Sequence, residues 1–228
     1  MQKDVIIALD FKNLEETTTF LKQFGDLRPY VKVGMELFYA EGFEIIKFLK
    51  KHGHKVFLDL KLHDIPNTVK KTATVINEFN VDMFTVHAAG GIEMMKAANE
   101  VLDKTLVIAV SQLTSTDEHT LVNELLIDKS MEDVILKYAT NAKAAGCDGI
   151  VCSALEAEMI HKNLGDDFLT ITPGIRSKND FREDQSRIAT PSQAKKLGSN
   201  YIVVGRPITE SNDPVGAYNK FVKGFIGS

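Results

Sequence analysis

Basic runs are missing from this 228-residue sequence: lysines gather only into short pairs such as Lys70-Lys71 and Lys195-Lys196, and the formal charge is −4. No electrostatic footprint for nucleic acid follows, and the pairs read as solvated helix faces. Cysteine is scarce. The two present, Cys147 and Cys152, have a spacing that matches no metal or redox motif and sit among small apolar residues. They read as buried free thiols rather than as a disulfide or a nucleophile. No apolar stretch is long enough to span a bilayer, and the sequence enters a strand-like segment without a signal-peptide pattern. A soluble cytoplasmic protein without a membrane partner is therefore expected. The segment Ala8-Leu9-Asp10-Phe11-Lys12 contains no G-x-G-x-x-G loop for a dinucleotide. Also lacking are H-x-H, H-E-x-x-H or a compact Asp/Glu/His cluster, so no metal is expected. No G-x-S-x-G elbow occurs, which leaves Ser153 without an evident base. No linker, low-complexity tract or composition break divides the chain, and residues 1–228 are expected to form one domain.

What the chain does contain is alternation. Short β-branched runs at 5–10, 30–34, 56–61, 83–88, 106–110, 149–153, 168–173 and 201–206 alternate with helical segments at 14–24, 41–52, 66–80, 92–101, 131–145, 155–163, 191–197 and 214–225. In the segment 131–145, Val134, Ile135, Tyr138, Ala139 and Ala142 recur at helical spacing. Pro66 suits a first helical turn, and Gly53, Gly146 and Gly198 follow helices where a left-handed cap is expected. Strand–helix repetition implies a parallel sheet, because parallel neighbours need crossovers of this length. Eight units, in a chain near the roughly 200 to 250 residues of one closed barrel, predict an α/β fold: a single (β/α)8 TIM barrel. An open doubly wound sheet is the runner-up. Two irregular connections, 111–117 and 174–186, have the length of binding loops or lids.

The unusual residues fall at one end of these strands. Asp59-Leu60-Lys61-Leu62-His63-Asp64 follows the apolar run Val56-Phe57-Leu58. Period-two alternation predicts Asp59, Lys61 and His63 on one face, with Leu60 and Leu62 on the other. In a barrel the working face lies at the C-terminal strand ends. Those ends carry Asp10, Lys32, Asp59 with Lys61, His87, Thr114 just beyond the fifth, Pro173, and Gly205-Arg206. Alone, Lys32 reads equally as a snorkelling surface lysine. Facing Asp59 it joins an alternating array, Lys32–Asp59–Lys61–Asp64, in which opposite charges keep each other ionised. Gly205-Arg206 ends the eighth strand, where barrels commonly hold phosphate; a structural arginine at the rim is the plain alternative. Thr172-Pro173-Gly174-Ile175-Arg176 opens a polar loop that reaches Gln185. His63 and His87 read as hydrogen-bonded packing residues.

These blocks together resemble the orotidine 5′-monophosphate decarboxylase family, in its bacterial branch, along the whole chain. The resemblance rests on Ala8-Leu9-Asp10, Val31-Lys32-Val33-Gly34 and above all Asp59-Leu60-Lys61-Leu62-His63-Asp64-Ile65-Pro66-Asn67-Thr68. Gln112-Leu113-Thr114-Ser115, Thr172-Pro173-Gly174-Ile175-Arg176, Gln185 and Val204-Gly205-Arg206-Pro207-Ile208 complete it. It implies a barrel homodimer with shared active sites that converts orotidine monophosphate to uridine monophosphate and carbon dioxide without metal or organic cofactor. Lys61 would deliver the proton, Asp59 crowd the substrate carboxylate, and Lys32 and Asp10 bind ribose. Asp64 and Thr68 would enter the neighbouring subunit's site. Thr114 and Pro173 would flank the base, while Gln185, Gly205, Arg206 and Arg176 would hold phosphate. Two rivals remain. One is a magnesium-dependent enzyme resembling 3-keto-L-gulonate 6-phosphate decarboxylase or hexulose-phosphate synthase, which share a D-x-K-x-x-D strand but carry an acidic residue near the end of the second strand, where this chain has Lys32. The other is a non-catalytic sugar-phosphate binding barrel.

Overall fold

A computed structural model describes residues 3–102, 104–176 and 188–227. Each strand supplies two apolar sets with opposite destinations. Inward-facing Ile6, Ala8, Tyr30, Phe57, Met83, Ile108, Ile171, Tyr201 and Val203 fill the barrel interior. Their sequence neighbours, including Val5, Ile7, Val31, Val33, Leu58, Phe84, Ile202 and Val204, join the larger core between sheet and helices. Strands buried on both faces explain the near-continuous hydrophobic runs.

The strands are β1 (Asp4–Leu9), β2 (Tyr30–Val33), β3 (Val56–Leu62), β4 (Met83–His87), β5 (Leu106–Val110), β6 (Gly149–Val151), β7 (Leu169–Thr172) and β8 (Tyr201–Val204). All pair in parallel with their sequence neighbours, and β8 returns to β1 through Val5↔Ile202 and Ile7↔Val204. The sheet closes as expected for a (β/α)8 barrel, which removes the open-sheet alternative. Gly149 permits one tight crossing: a Cβ there would lie 2.4 Å from the Leu169 carbonyl oxygen.

The helices are α1 (Leu14–Lys22), α2 (Met35–Glu41), α3 (Phe43–Lys51), α4 (Pro66–Asn77), α5 (Gly91–Asn99), α6 (Met131–Ala144), α7 (Ala154–Leu164), α8 (Pro191–Lys196), α9 (Arg206–Thr209) and α10 (Pro214–Phe225). Pro66 occupies the first turn of α4 as expected, and Gly53, Gly146 and Gly198 all have positive φ. Two short helices depart from the sequence reading. The helix expected over 41–52 is α3, and an unexpected helix, α2, precedes it, separated from it by Gly42 with φ of 60°. The eighth strand stops at Val204, so Arg206 begins α9 rather than ending a strand. Beyond β5 the connection contains one wide π-type turn, Thr120–Glu124. Both cysteines are buried and free, and burial pushes the Cys147 thiol up to about 12. Among the described residues no helix is long and apolar enough to cross a membrane.

Candidate active site

The C-terminal mouth of the barrel opens into a cavity of about 490 Å³. Its wall divides by chemistry. β1 to β3 deliver Asp10, Lys32, Asp59 and Lys61; Val110, Val151, Ile171 and Val203 line the cavity with apolar surface; the segments after β7 and β8 bring Gly174, Arg176, Gly205 and Arg206. Ala8, Phe57 and Pro173 add apolar surface, and the loop after β5 adds Gln112, Leu113, Thr114 and Ser115.

The charged side is an alternating chain. Lys32 Nζ donates to Asp10 Oδ1 at 3.2 Å and stands 3.7 Å from Asp59 Oδ2. Lys61 Nζ donates to Asp59 Oδ1 at 2.9 Å. Side-chain exposure is 12% for Lys32, 14% for Asp59 and 26% for Lys61, against 62% for Asp10. Water therefore screens the outer pair and largely leaves the inner three. Burial pushes the Asp59 carboxyl up, but Lys32, Lys61 and the hydrogen bonds from Lys61 and Thr85 outweigh it, and its pKa lies below the ordinary carboxylate value.

Local backbone irregularity builds this geometry. β3 pairs with β4 through Leu58↔Phe84 and next through Leu62↔Val86. Three residues, Asp59, Leu60 and Lys61, thus stand opposite one, Thr85. Lys61 has φ of 53°, a left-handed conformation that costs a non-glycine residue roughly 1–3 kcal/mol. The bulge corrects the strict alternation expected for this strand. Asp59 and Lys61 still share the cavity and Leu60 and Leu62 still pack on the outer core. His63, however, leaves the cavity: it is exposed and stacks on His87 with ring centroids 5.4 Å apart. His87 Nδ1 accepts from the Ala89 amide, so the expected packing role fits the described contacts.

Gly34, immediately after β2, is a space requirement. A Cβ there would lie 2.9 Å from Lys32 Nζ and 3.3 Å from Asp10 Oδ1. After β7, Arg176 is buried and donates to the Ile175 carbonyl at 3.2 Å. The loop that carries it is pinned at its neck: Arg176 N donates to Ala189 O at 3.0 Å and Ala189 N to Gly174 O at 3.2 Å.

Nine predicted residues meet in the cavity: Asp10, Lys32, Asp59, Lys61, Thr114, Pro173, Arg176, Gly205 and Arg206. Asp64 and Thr68 do not. Both are exposed, and Asp64 lines a separate open groove with His63, Ile65, Pro66, Ala89 and Gly90. Within one chain the array is thus Asp10–Lys32–Asp59–Lys61, without Asp64. Gln185 lies outside the described residues, as does most of the predicted lid. Sequence reasoning passed over Gln112, Ser115 and Cys152 as cavity residues, and gave no role to Thr85 behind the cavity. Gln112 and Ser115 flank Thr114 in a quoted motif, whereas Cys152 gave no signal beyond its place after β6. Among the described residues no group of three or more His, Cys, Asp or Glu is arranged to hold a metal ion.

Residues 3–221 match the family model described as Orotidine 5'-phosphate decarboxylase / HUMPS family. This chain belongs to that family. An orotidine 5'-phosphate decarboxylase from Staphylococcus epidermidis is 54% identical over 226 residues, covering 97% of each chain. Another, from a Geobacillus strain, is 49% identical over 100% of this chain and 98% of its own. The crystal structure of orotidine 5'-phosphate decarboxylase from Lactobacillus acidophilus superposes with a TM-score of 0.89 at 43% identity, covering 98% of this chain and 99% of that one. These relatives are named as decarboxylases at about half identity over nearly the full length, and the chain is such an enzyme.

Proposed function

We propose that this enzyme converts orotidine 5′-monophosphate to uridine 5′-monophosphate and carbon dioxide, in the synthesis of pyrimidine nucleotides, with Lys61 as proton donor and without a metal or organic cofactor. One observation carries the reading: a lysine ammonium fixed 2.9 Å from a buried carboxylate, in a cavity that Arg176 and Arg206 also line. When the carboxylate departs, the electron pair of the broken carbon–carbon bond stays on the ring carbon, which offers no conjugated electron sink. A preorganised cation beside that carbon stabilises the developing charge, and its N–H supplies the proton that replaces carbon dioxide. The amine then regains a proton from solvent. Asp59 holds Lys61 and crowds the leaving carboxylate, Lys32 and Asp10 take ribose hydroxyls, and the apolar lining with Pro173 and Thr114 receives the base. Gly205, Arg206, Arg176 and Gln185 take the phosphate, whose binding energy helps assemble the site.

Asp64 and Thr68 are assigned to the active site of a second copy. Their exposure at the start of α4, away from their own cavity, supports this homodimeric arrangement. The whole barrel, residues 1–228, acts as one unit, and the site needs no nucleic acid or membrane.

The test is incubation of purified protein with orotidine monophosphate and EDTA, following loss of orotate absorbance. Full turnover is expected, and dependence on added magnesium would instead support the hexulose-phosphate branch. Lys61→Ala is expected to keep the melting temperature and lose nearly all turnover. Substantial residual turnover in that variant would end the assignment of Lys61 as donor. Mixed Lys61→Ala and Asp64→Ala subunits should recover part of the activity, and verified heterodimers without recovery would count against the shared site.

A further inference from the structure

We infer that Thr85 is a positioning residue for the decarboxylation: its hydroxyl, standing opposite the β3 bulge, holds both the Asp59 carboxylate and the Lys61 backbone in register. This rests on the reading of Lys61 as proton donor and adds a residue that touches no substrate.

Thr85 is the middle residue of β4 and is fully buried. Its Oγ1 donates to Asp59 Oδ1 at 3.0 Å and accepts from the Lys61 amide at 2.8 Å. One hydroxyl thus serves as donor to the carboxylate and as acceptor for the amide that the bulge removes from the regular ladder. A buried amide without a partner is costly, so the left-handed turn at Lys61 needs such an acceptor. Asp59 Oδ1 receives two donors, Thr85 Oγ1 and Lys61 Nζ, while Oδ2 faces Lys32 at 3.7 Å. The carboxylate is therefore gripped on one oxygen, which fixes its rotation and the direction of the ammonium beside it. A valine of the same shape fills the space but neither donates nor accepts.

The charged groups around Asp59 are Lys32 on β2, Lys61 on β3 and Asp10 beyond Lys32; His87, near Lys61 on β4, stacks on His63. Removing the Thr85 donor withdraws a hydrogen bond from the ionised carboxylate while leaving those charges in place. The Asp59 pKa then rises, and the acid limb of the kcat profile moves to higher pH.

The experiment compares Thr85→Val, Thr85→Ser and Thr85→Ala with wild type by steady-state turnover of orotidine monophosphate, pH profile and melting. Wild-type turnover in the same assay is the control on the underlying functional reading. With it present, Thr85→Val is expected to lose ~100-fold in kcat, the scale of an ångström-sized misplacement, with KM changed far less. Its acid limb should shift upward, and Thr85→Ser should restore most of the rate. Thr85→Ala, which leaves space instead of a methyl group against Asp59, gives the same test if the valine variant does not fold. A folded valine or alanine variant with wild-type kcat and an unmoved pH profile would overturn the inference. So would a serine variant as impaired as valine, since the methyl group and not the hydroxyl would then matter.

Discussion

Adding one methyl group at Gly34 should disable the enzyme while leaving its stability nearly untouched. The backbone there, φ −89° and ψ −175°, is ordinary extended conformation that alanine adopts freely. Losing glycine at the N-cap of α2 costs under ~1 kcal/mol. Lower entropy of the unfolded alanine chain returns roughly 0.4–1 kcal/mol. The two nearly cancel, and the melting temperature should stay within about 3 °C of wild type. Lys32 is another matter. The new Cβ would lie 2.9 Å from its Nζ, well inside the roughly 3.5 Å of a normal nonbonded contact. The ammonium must retreat by about 0.6 Å or swing away, and its approach to Asp59 Oδ2 is already 3.7 Å. Since a displacement of about 1 Å can cost ~100-fold, we expect kcat/KM for orotidine monophosphate to fall about 10- to 100-fold. Spectroscopic turnover and a melting curve on the same sample decide it. Activity within twofold of wild type would show that the lysine relocates freely, and that the glycine is not reserving its place.

Two further outcomes follow from the charges. Arg206→Ala should weaken the phosphate-bearing substrate by about 10- to 100-fold, the loss of one charge-assisted contact, and leave turnover of the phosphate-free nucleoside little changed; equal losses on both substrates would remove Arg206 from the phosphate site. His54 and His87 both have pKa values below the ordinary histidine value, His54 through burial and the nearby Arg28 and His52 charges, His87 through burial, His63 and Lys61. The folded protein keeps both rings neutral where the unfolded chain takes up protons, so stability is full above about 6.5 and declines as pH falls below it. A melting temperature that holds or rises from pH 7.5 to pH 6.0 would contradict this.

The barrel was legible because the strands announce themselves as β-branched runs, and most of them also end in or near a polar group. Those endings also located eight of the cavity residues, and the block Thr172–Arg176 located Arg176. What stayed hidden was backbone detail. Nothing in Leu60-Lys61-Leu62 signals a left-handed lysine, because the conformation belongs to the β3 bulge against the neighbouring strand and not to local propensity. The helix at Met35–Glu41 was missed because Gly34 and Gly42 punctuate it so closely that the apolar period has no room to repeat. Arg206 read as a strand end because Val204-Gly205 continues the apolar run, although the chain turns there into a four-residue helix. Asp64 was joined to the array of its own chain because it follows Lys61 so closely, while the resemblance implied a place in the neighbouring subunit's site. Spacing along a strand does not survive the turn into α4, which carries that carboxylate outside its own cavity.

The paired amides and carbonyls joining Gly174 and Arg176 to Ala189 tie off the excursion between them like the neck of a bag. Register in β7 and the start of α8 is settled below that knot. The number of residues above it can then change at an entropic cost of only ~0.6 kcal/mol per doubling. A change of length there leaves every strand threaded as before, provided that Gln185 keeps the phosphate contact proposed for it.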